Sequence, residues 1–461
     1  MIATRVEHPT YGPGQIVALF RNGEEWMVRF DSGLRFRRPR QEFIGQMPTN
    51  PPPTPTTACA PTPMTPSQLD ARTLIEALRV GVAPAQHARE LTIGLENERA
   101  SLSNALVQAH QSGGDARAII GEYGYGKSHI VELTAQEALQ RKFLVAAVSL
   151  DLQELPPHRA FDIYGALLRS LRYPESDERG LGPLLGAVAG VPRLRDELRA
   201  LAPTENDPLT FALDALSSIA STRQQTAWEN WLMGGPRVKS MNRAMPKRVK
   251  FPSIYRQGNN ARQIAYLLSG VSVLARLAGF SGLCLLIDEA ESYSLLKPYQ
   301  QPKASLFFSA LIHAALGDER SRISNGDLPQ HHRREYPSAY GDRQSLFFLF
   351  TITRSDNRLP LEEWLDDDKV LALDPHHTPQ EIGQFLEQVM GYHARAYAYE
   401  VGERQRQVRR GAAEHLAQGM RNERLNIRAV VRLAVELYDL LYLHPEYAVA
   451  ALLDELRGQM R

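Results

Sequence analysis

The stretch Gly121-Glu122-Tyr123-Gly124-Tyr125-Gly126-Lys127-Ser128 satisfies the spacing Gly-x-x-x-x-Gly-Lys-Ser, and no other part of the chain constrains the fold as much. Such a loop works only between a strand and a helix, and its flanks read that way. Residues 116–120 are a short apolar run behind a Gly-Gly turn, and residues 129–139 carry apolar side chains at helical spacing. Gly121, Gly124 and Gly126 let the backbone take dihedrals closed to other residues, so that successive N–H groups face one anion. The helix beginning near Lys127 sets its positive dipole end beneath that anion. Lys127 is then expected on the β and γ phosphates of a nucleoside triphosphate and Ser128 on Mg2+. Glu122, Tyr123, Tyr125 and His129 complete the expected nucleotide-binding loop.

At 461 residues the chain has material for about three domains. A net charge of +1, with 23% of residues charged, neither requires nor excludes a nucleic-acid partner, so the distribution of charge must decide. Cys59 stands in a proline-rich stretch and Cys284 in an apolar run. They form no disulfide or metal pattern and fit a reducing cytoplasm. The N-terminus has no apolar leader. One run, 263–287, has the length of a membrane span, but it carries Arg276 and a turn at 278–282 splits it into a helix-length and a strand-length part.

Four regions follow along the chain. Residues 1–46 alternate short strands with turns and read as a small β-barrel. Residues 47–68 are rich in Pro and Thr, a composition that builds no core and makes a tether. Residues 69–375 read as a P-loop ATPase core, and 376–461 as a helical lid with C-terminal helices. Strands are expected at 116–120, 143–151, 283–287, 345–353 and 370–373 with helices between them, which gives an α/β three-layer parallel sheet. Thr378-Pro379-Gln380-Glu381 is a helix start with proline at its first position.

The apolar run 283–287 ends in Asp288-Glu289. A buried strand delivers those acids to the edge of the sheet, where Asp288 is expected to share Mg2+ with Ser128 and Glu289 to polarise the attacking water. Thr351 and Thr353 alternate onto one face of the next strand, and either one fits a sensor of the γ phosphate. Arg343 and Arg354 are candidate fingers acting on a neighbouring subunit's ATP. His331-His332 and His376-His377 have no ligands at metal spacing and read as loop histidines.

Between Glu229 and Asp288 there is no acidic residue, while Arg237, Lys239, Arg243, Lys247, Arg248, Lys250, Arg256 and Arg262 cluster beside Trp228, Trp231, Phe251 and Tyr255. Cations for phosphates and rings for stacking read as a DNA-contacting insertion over about 228–262, against the alternative of a solvated or protein-facing loop. Arg35, Arg37, Arg38 and Arg40 near the N-terminus admit the same two readings.

Val6-x-His8-Pro9-x-Tyr11-Gly12-x-Gly14-x-Ile16-Val17, followed by Val28-x-Phe30-x-x-Gly33, resembles the Tudor-like modules of UvrD/PcrA-type helicases and CarD-type transcription factors. That resemblance implies an adaptor. The phosphate loop, the Asp288-Glu289-Ala290-Glu291 run and the segment 426–433 resemble the origin-recognition branch of AAA+ ATPases, with Arg428 in the position of a second sensor arginine. The form Gly-Glu-Tyr-Gly-x-Gly-Lys-Ser-His is similar to the BrxD family of ATP-binding proteins from bacterial BREX phage-defence systems. This implies a role in a multi-protein defence locus beside a helicase and a DNA-modifying enzyme. With the motifs, the cysteines and the basic stretch, the expectation is a cytoplasmic ATPase that uses ATP and Mg2+ and acts on DNA, with a homo-oligomer one open possibility, since AAA+ sites usually form between subunits. The expected role is a switch or loader. A scaffold ATPase that recruits proteins through residues 1–46 is the alternative.

Overall fold

Residues 5–46 form five strands: β1 (Arg5–His8), β2 (Gly12–Phe20), β3 (Glu25–Phe30), β4 (Arg35–Pro39) and β5 (Ile44–Gln46). They pair antiparallel in the order β4-β3-β2-β1-β5. β4 and β5 are the two edges, so among the described residues the sheet is open and the expected closed barrel is not seen. Val6, Trp26, Val28 and Phe30 make its core, with Tyr11, Ile16 and Phe43 packed against it. Three of the arginines that admit both a phosphate-facing and a solvated reading have partners within this unit. Arg37 pairs with Glu25, Arg38 donates to the Tyr11 hydroxyl, and Arg40 lies over the Trp26 ring.

This is a computed structural model that describes residues 5–9, 11–20, 24–31, 35–46 and 64–459, apart from 205–206, 220, 239–240, 242–250, 257, 342–343, 356–358 and 375. The chain forms two units, Met1–Thr65 and Pro66–Arg461. Most of the expected tether, with Cys59, lies outside the described residues.

The second unit is built on β6 (Asp115–Gly121), β7 (Phe143–Ser149), β8 (Gly282–Asp288), β9 (Leu346–Thr353) and β10 (Val370–Ala372). All pairs are parallel, in the order β10-β6-β9-β8-β7. Parallel pairing needs a crossover between consecutive strands, and helices supply it on both faces, so β6, β8 and β9 are buried along nearly their whole length. One face is covered by helices Glu96–Ser112 and Lys127–Gln140. The other packs against Ala160–Arg169, Ala261–Leu277 and Gln301–Leu316, which begin the larger core that also takes in the small helices between 182 and 232.

A separate helical core joins Pro379–Tyr397, Glu403–Arg421, Ile427–Leu443 and Val449–Gln459. Helix Pro66–Arg79 belongs to it as well. Ala71, Leu74, Ile75 and Leu78 are buried there, and Arg79 clasps Asp439 at 2.8 Å. The lid is therefore assembled from both ends of this unit, and the material expected to open the sheet domain at residue 69 packs with the lid instead. The run 263–287 is helix Ala261–Leu277 followed by β8, and no helix among the described residues is long and apolar enough to cross a membrane.

Candidate active site

The order of the strands builds this site. β9 lies between β6, which feeds the phosphate loop, and β8, which carries the acids. Its two threonines consequently stand between Lys127 and Asp288. Lys127 opens helix Lys127–Gln140 and is buried, its Nζ donating to Gly121 O at 3.0 Å, Glu122 O at 3.3 Å and Thr353 Oγ1 at 2.8 Å. Thr351 Oγ1 instead donates to Asp288 Oδ1 and accepts from the Glu289 N–H at 3.2 Å. Of the two candidate sensors, Thr353 is the one in contact with the lysine of the loop, and Thr351 holds the aspartate.

Gly124 and Gly126 have φ of +83° and +89°, the left-handed conformation that turns their neighbours' N–H groups inward. Gly121 differs from the expectation. It ends β6, where a Cβ would lie 3.2 Å from Leu373, so its place rests on packing. Ser128 is exposed and, like Asp288, lines a pocket of about 330 Å³. Their hydroxyl and carboxylate oxygens are the hard donors that Mg2+ takes, the nucleotide's own oxygens supplying the rest of its shell. Among the described residues, no group of three His, Cys, Asp or Glu is arranged to hold a metal by itself.

Glu289 has a left-handed backbone, with φ of 58°, and its side chain turns away from the loop to accept from Ser149 Oγ at 3.0 Å. Glu291 does the reverse. Its Oε1 accepts from Thr353 at 2.6 Å and lies 4.0 Å from Lys127 Nζ, while its Oε2 is buried without a partner. Sequence reasoning gave Glu291 no role, although it lies in the acidic run. Ser149 carried no signal either, since a serine ending a strand is common.

The rest of the pocket is apolar. Val82, Ala83, Leu91, Ile93, Ile427 and Val431 line it, so that residues 81–95 and the lid helix Ile427–Leu443 enclose room for a base. His129 borders this wall and bonds Thr92 Oγ1 at 3.0 Å. Burial, with Arg99 nearby, lowers its pKa to about 4, so the ring is neutral at physiological pH. Arg428 stands in the first turn of the lid helix. Its guanidinium lies 5.0 Å from the Tyr123 ring centroid and donates to the Tyr123 hydroxyl. Tyr125 packs below the loop, and the Glu122 carboxylate accepts from Ser355 at 3.0 Å.

Other expected contacts are placed elsewhere. Trp228 and Trp231 are buried and Phe251 packs against both, so these rings are core and are not offered to bases. Tyr255 stacks on His331 at 4.0 Å. Arg262 is buried and donates to the carbonyls of Tyr336, Asn325 and Leu328. Arg256 is exposed, Arg237 lies over Phe251 at 4.0 Å, and Lys239, Arg243, Lys247, Arg248 and Lys250 lie outside the described residues. Arg354 follows β9, its N–H bonded to Gly121 O at 3.3 Å, and Arg343 is outside the described residues.

Residues 67–187 match the family described as BREX system ATP-binding protein BrxC/D. That stretch contains the whole phosphate loop, so the likeness read from the loop's sequence holds across it. Among solved structures, a Walker-type ATPase of Pyrococcus abyssi matches with 11% identity over 80% of this chain and 77% of its own, at a TM-score of 0.27. No curated protein sequence matches the chain.

Proposed function

We propose that this chain, an ATPase with the BrxC/D family's ATP-binding segment, hydrolyses ATP to switch its lid between two positions while acting on DNA in a phage-defence assembly. The observation that carries the reading is the convergence on Lys127. One side chain from the phosphate loop, one from β9 and one from the acidic run meet where a γ phosphate would lie. The triphosphate draws Lys127 away from its carbonyl partners, and the N–H groups after Gly124 and Gly126 close around the anion. Ser128 and Asp288 would hold Mg2+, which would supply charge neutralisation at the phosphates. Glu289, freed from Ser149, orients and deprotonates the water. Arg428 moves from Tyr123 to the γ phosphate, and the lid helix moves with it.

DNA as the object of this switch is supported by the acid-free stretch ahead of β8. A cytoplasmic setting, a helicase and a DNA-modifying enzyme as partners, and subunits that share ATP sites through Arg354 or Arg343 accord with the same reading. The second reading is a scaffold ATPase that recruits proteins through a Tudor-like unit at residues 1–46. It draws support from the separate core of that unit. ATP turnover of the wild type and of Glu289→Gln, measured with and without duplex DNA, separates the two. Stimulation by DNA that Glu289→Gln abolishes supports the switch, and turnover indifferent to both DNA and Glu289 sinks it.

A further inference from the structure

The apolar part of the nucleotide pocket has a polar neighbour, His129. Val82, Leu91, Ile93, Ile427 and Val431 line the region with room for a base, and none of their side chains can hydrogen-bond one. His129 borders the same wall and follows Lys127-Ser128 directly in the chain. Glu132, which also lines the pocket one turn further along the helix, gives its carboxylate to Arg172 at 3.3 Å.

The hydrogen bonds around His129 fix which ring nitrogen carries its proton. Thr92 Oγ1 lies 2.8 Å from Ala88 O, and a carbonyl can only accept, so the Thr92 hydroxyl spends its one hydrogen there. Thr92 Oγ1 is also 3.0 Å from His129 Nε2, and with its hydrogen spent it must accept from that nitrogen. A neutral imidazole has a single N–H, so Nδ1 is left as a bare lone pair. Burial, with Arg99 nearby, holds the ring's pKa far below its ordinary value, and no second proton fills that position. Among the described residues nothing bonds Nδ1, and the atom is not sealed inside the protein.

An unpartnered acceptor beside an apolar slot suits a base that presents a donor. We propose that His129 reads the 6-amino group of adenine through Nδ1, with Thr92 as the positioning residue that fixes the tautomer. This role presupposes the ATP site described above and gives it its choice of base. Adenine donates from its amino group, whereas guanine and hypoxanthine carry a 6-oxo group whose lone pairs would face that of Nδ1. The ring cannot shift its proton to meet them while Thr92 requires it on Nε2.

The test is calorimetric titration of the full chain, with Mg2+ present, by ADP and IDP, diphosphates that differ at the 6-position and have no γ phosphate to lose. Wild type should bind ADP about tenfold more tightly than IDP, the worth of one hydrogen bond exchanged for a clash of lone pairs. His129→Leu, apolar and of similar size, should bring the ratio to within about twofold by weakening ADP. Thr92→Val should lower it from the other side. The ring is then free to carry its proton on Nδ1 and donate to the 6-oxo group, so IDP tightens while ADP stays within about threefold of wild type. Packing of the ring against the base would not produce that gain. A wild-type ratio within about twofold overturns the assignment, and so does a ratio of about tenfold that survives either substitution. Melting transitions report whether each variant is folded, and if leucine at 129 unfolds the chain, the wild-type ratio and Thr92→Val decide. These titrations need neither hydrolysis nor DNA. Turnover indifferent to DNA would therefore sink the switch and not the choice of base, whereas a wild type that binds neither nucleotide would sink both.

Discussion

Asp288, Glu289 and Glu291 reach the phosphate site by different routes, and those routes assign them different work. Asp288 is fixed by Thr351, which suits the metal-holding role proposed for it. Glu289 is exposed and held only by Ser149, free to turn toward water. Glu291 sets the oxygen that Thr353 bonds 4.0 Å from Lys127, leaves its other oxygen without a partner, and is expected to yield that lysine when phosphates arrive. Glu289→Gln should accordingly lower kcat by about 10²- to 10⁴-fold with little change in KM for ATP, the range for loss of a general base. Glu291→Gln should tighten ATP binding several-fold in a direct titration, because a competitor of the phosphates is gone. A kcat loss at position 291 as deep as that at 289 would reverse the two assignments. His129 gives a pH test. Its pKa is lowered to about 4 in the folded chain, so the unfolded state binds the extra proton first as pH falls. The stability it contributes is complete above about pH 6.5 and is lost progressively between there and about pH 4. Thermal melts across that window should lose less stability in His129→Gln than in the wild type.

At the scale of elements, the lid helix Ile427–Leu443 and the phosphate loop are built to approach closely. A Cβ on Gly124 would lie 2.6 Å from Asn426 Nδ2, and Asn426 is itself occupied in capping the lid helix through the Ala429 N–H at 2.9 Å. Gly124→Ala therefore strains a left-handed backbone by roughly 1 kcal/mol and pushes the lid outward as well. ATP affinity should fall by more than the roughly fivefold that the backbone term alone gives. An affinity within twofold of wild type would show that the lid is not so close. Some of this architecture was legible. Thr378-Pro379-Gln380-Glu381 forms the helix start it spelled, with Thr378 and Glu381 in a reciprocal capping box, because a cap is written in four adjacent residues. The partnership of Pro66–Arg79 with the lid was not legible, since helical periodicity gives an apolar face but not what covers it. Arg79→Ala tests that partnership. It leaves Asp439 with only His393, and a loss of roughly 2 kcal/mol should appear in the unfolding of the lid.

For the whole molecule, the parallel sheet could be read because its strands are mostly apolar runs set between helices, but its order could not. A crossover can pass over a neighbour, and nothing in residues 345–353 states that β9 lies between β6 and β8. That insertion decides which threonine meets Lys127. The aromatic residues near the basic stretch misled for a related reason: rings beside cations look alike in sequence whether they pack on bases or on one another, and Trp228, Trp231 and Phe251 pack on one another, one pair stacked and two edge-on. The division of the chain gives the last prediction. Val6, Trp26, Val28 and Phe30 close a core within residues 5–46, while every group that meets Lys127 belongs to the unit Pro66–Arg461. Removing residues 1–65 should then leave ATP turnover in the absence of partners within about twofold of the full chain, since no side chain of the site is lost. Under the switch reading, DNA stimulation should survive the truncation too, because the acid-free stretch remains. Under the scaffold reading, capture of protein partners should disappear while turnover persists. Turnover that collapses in a truncated protein whose melting transition is intact would mean that the first unit takes part in the chemistry itself.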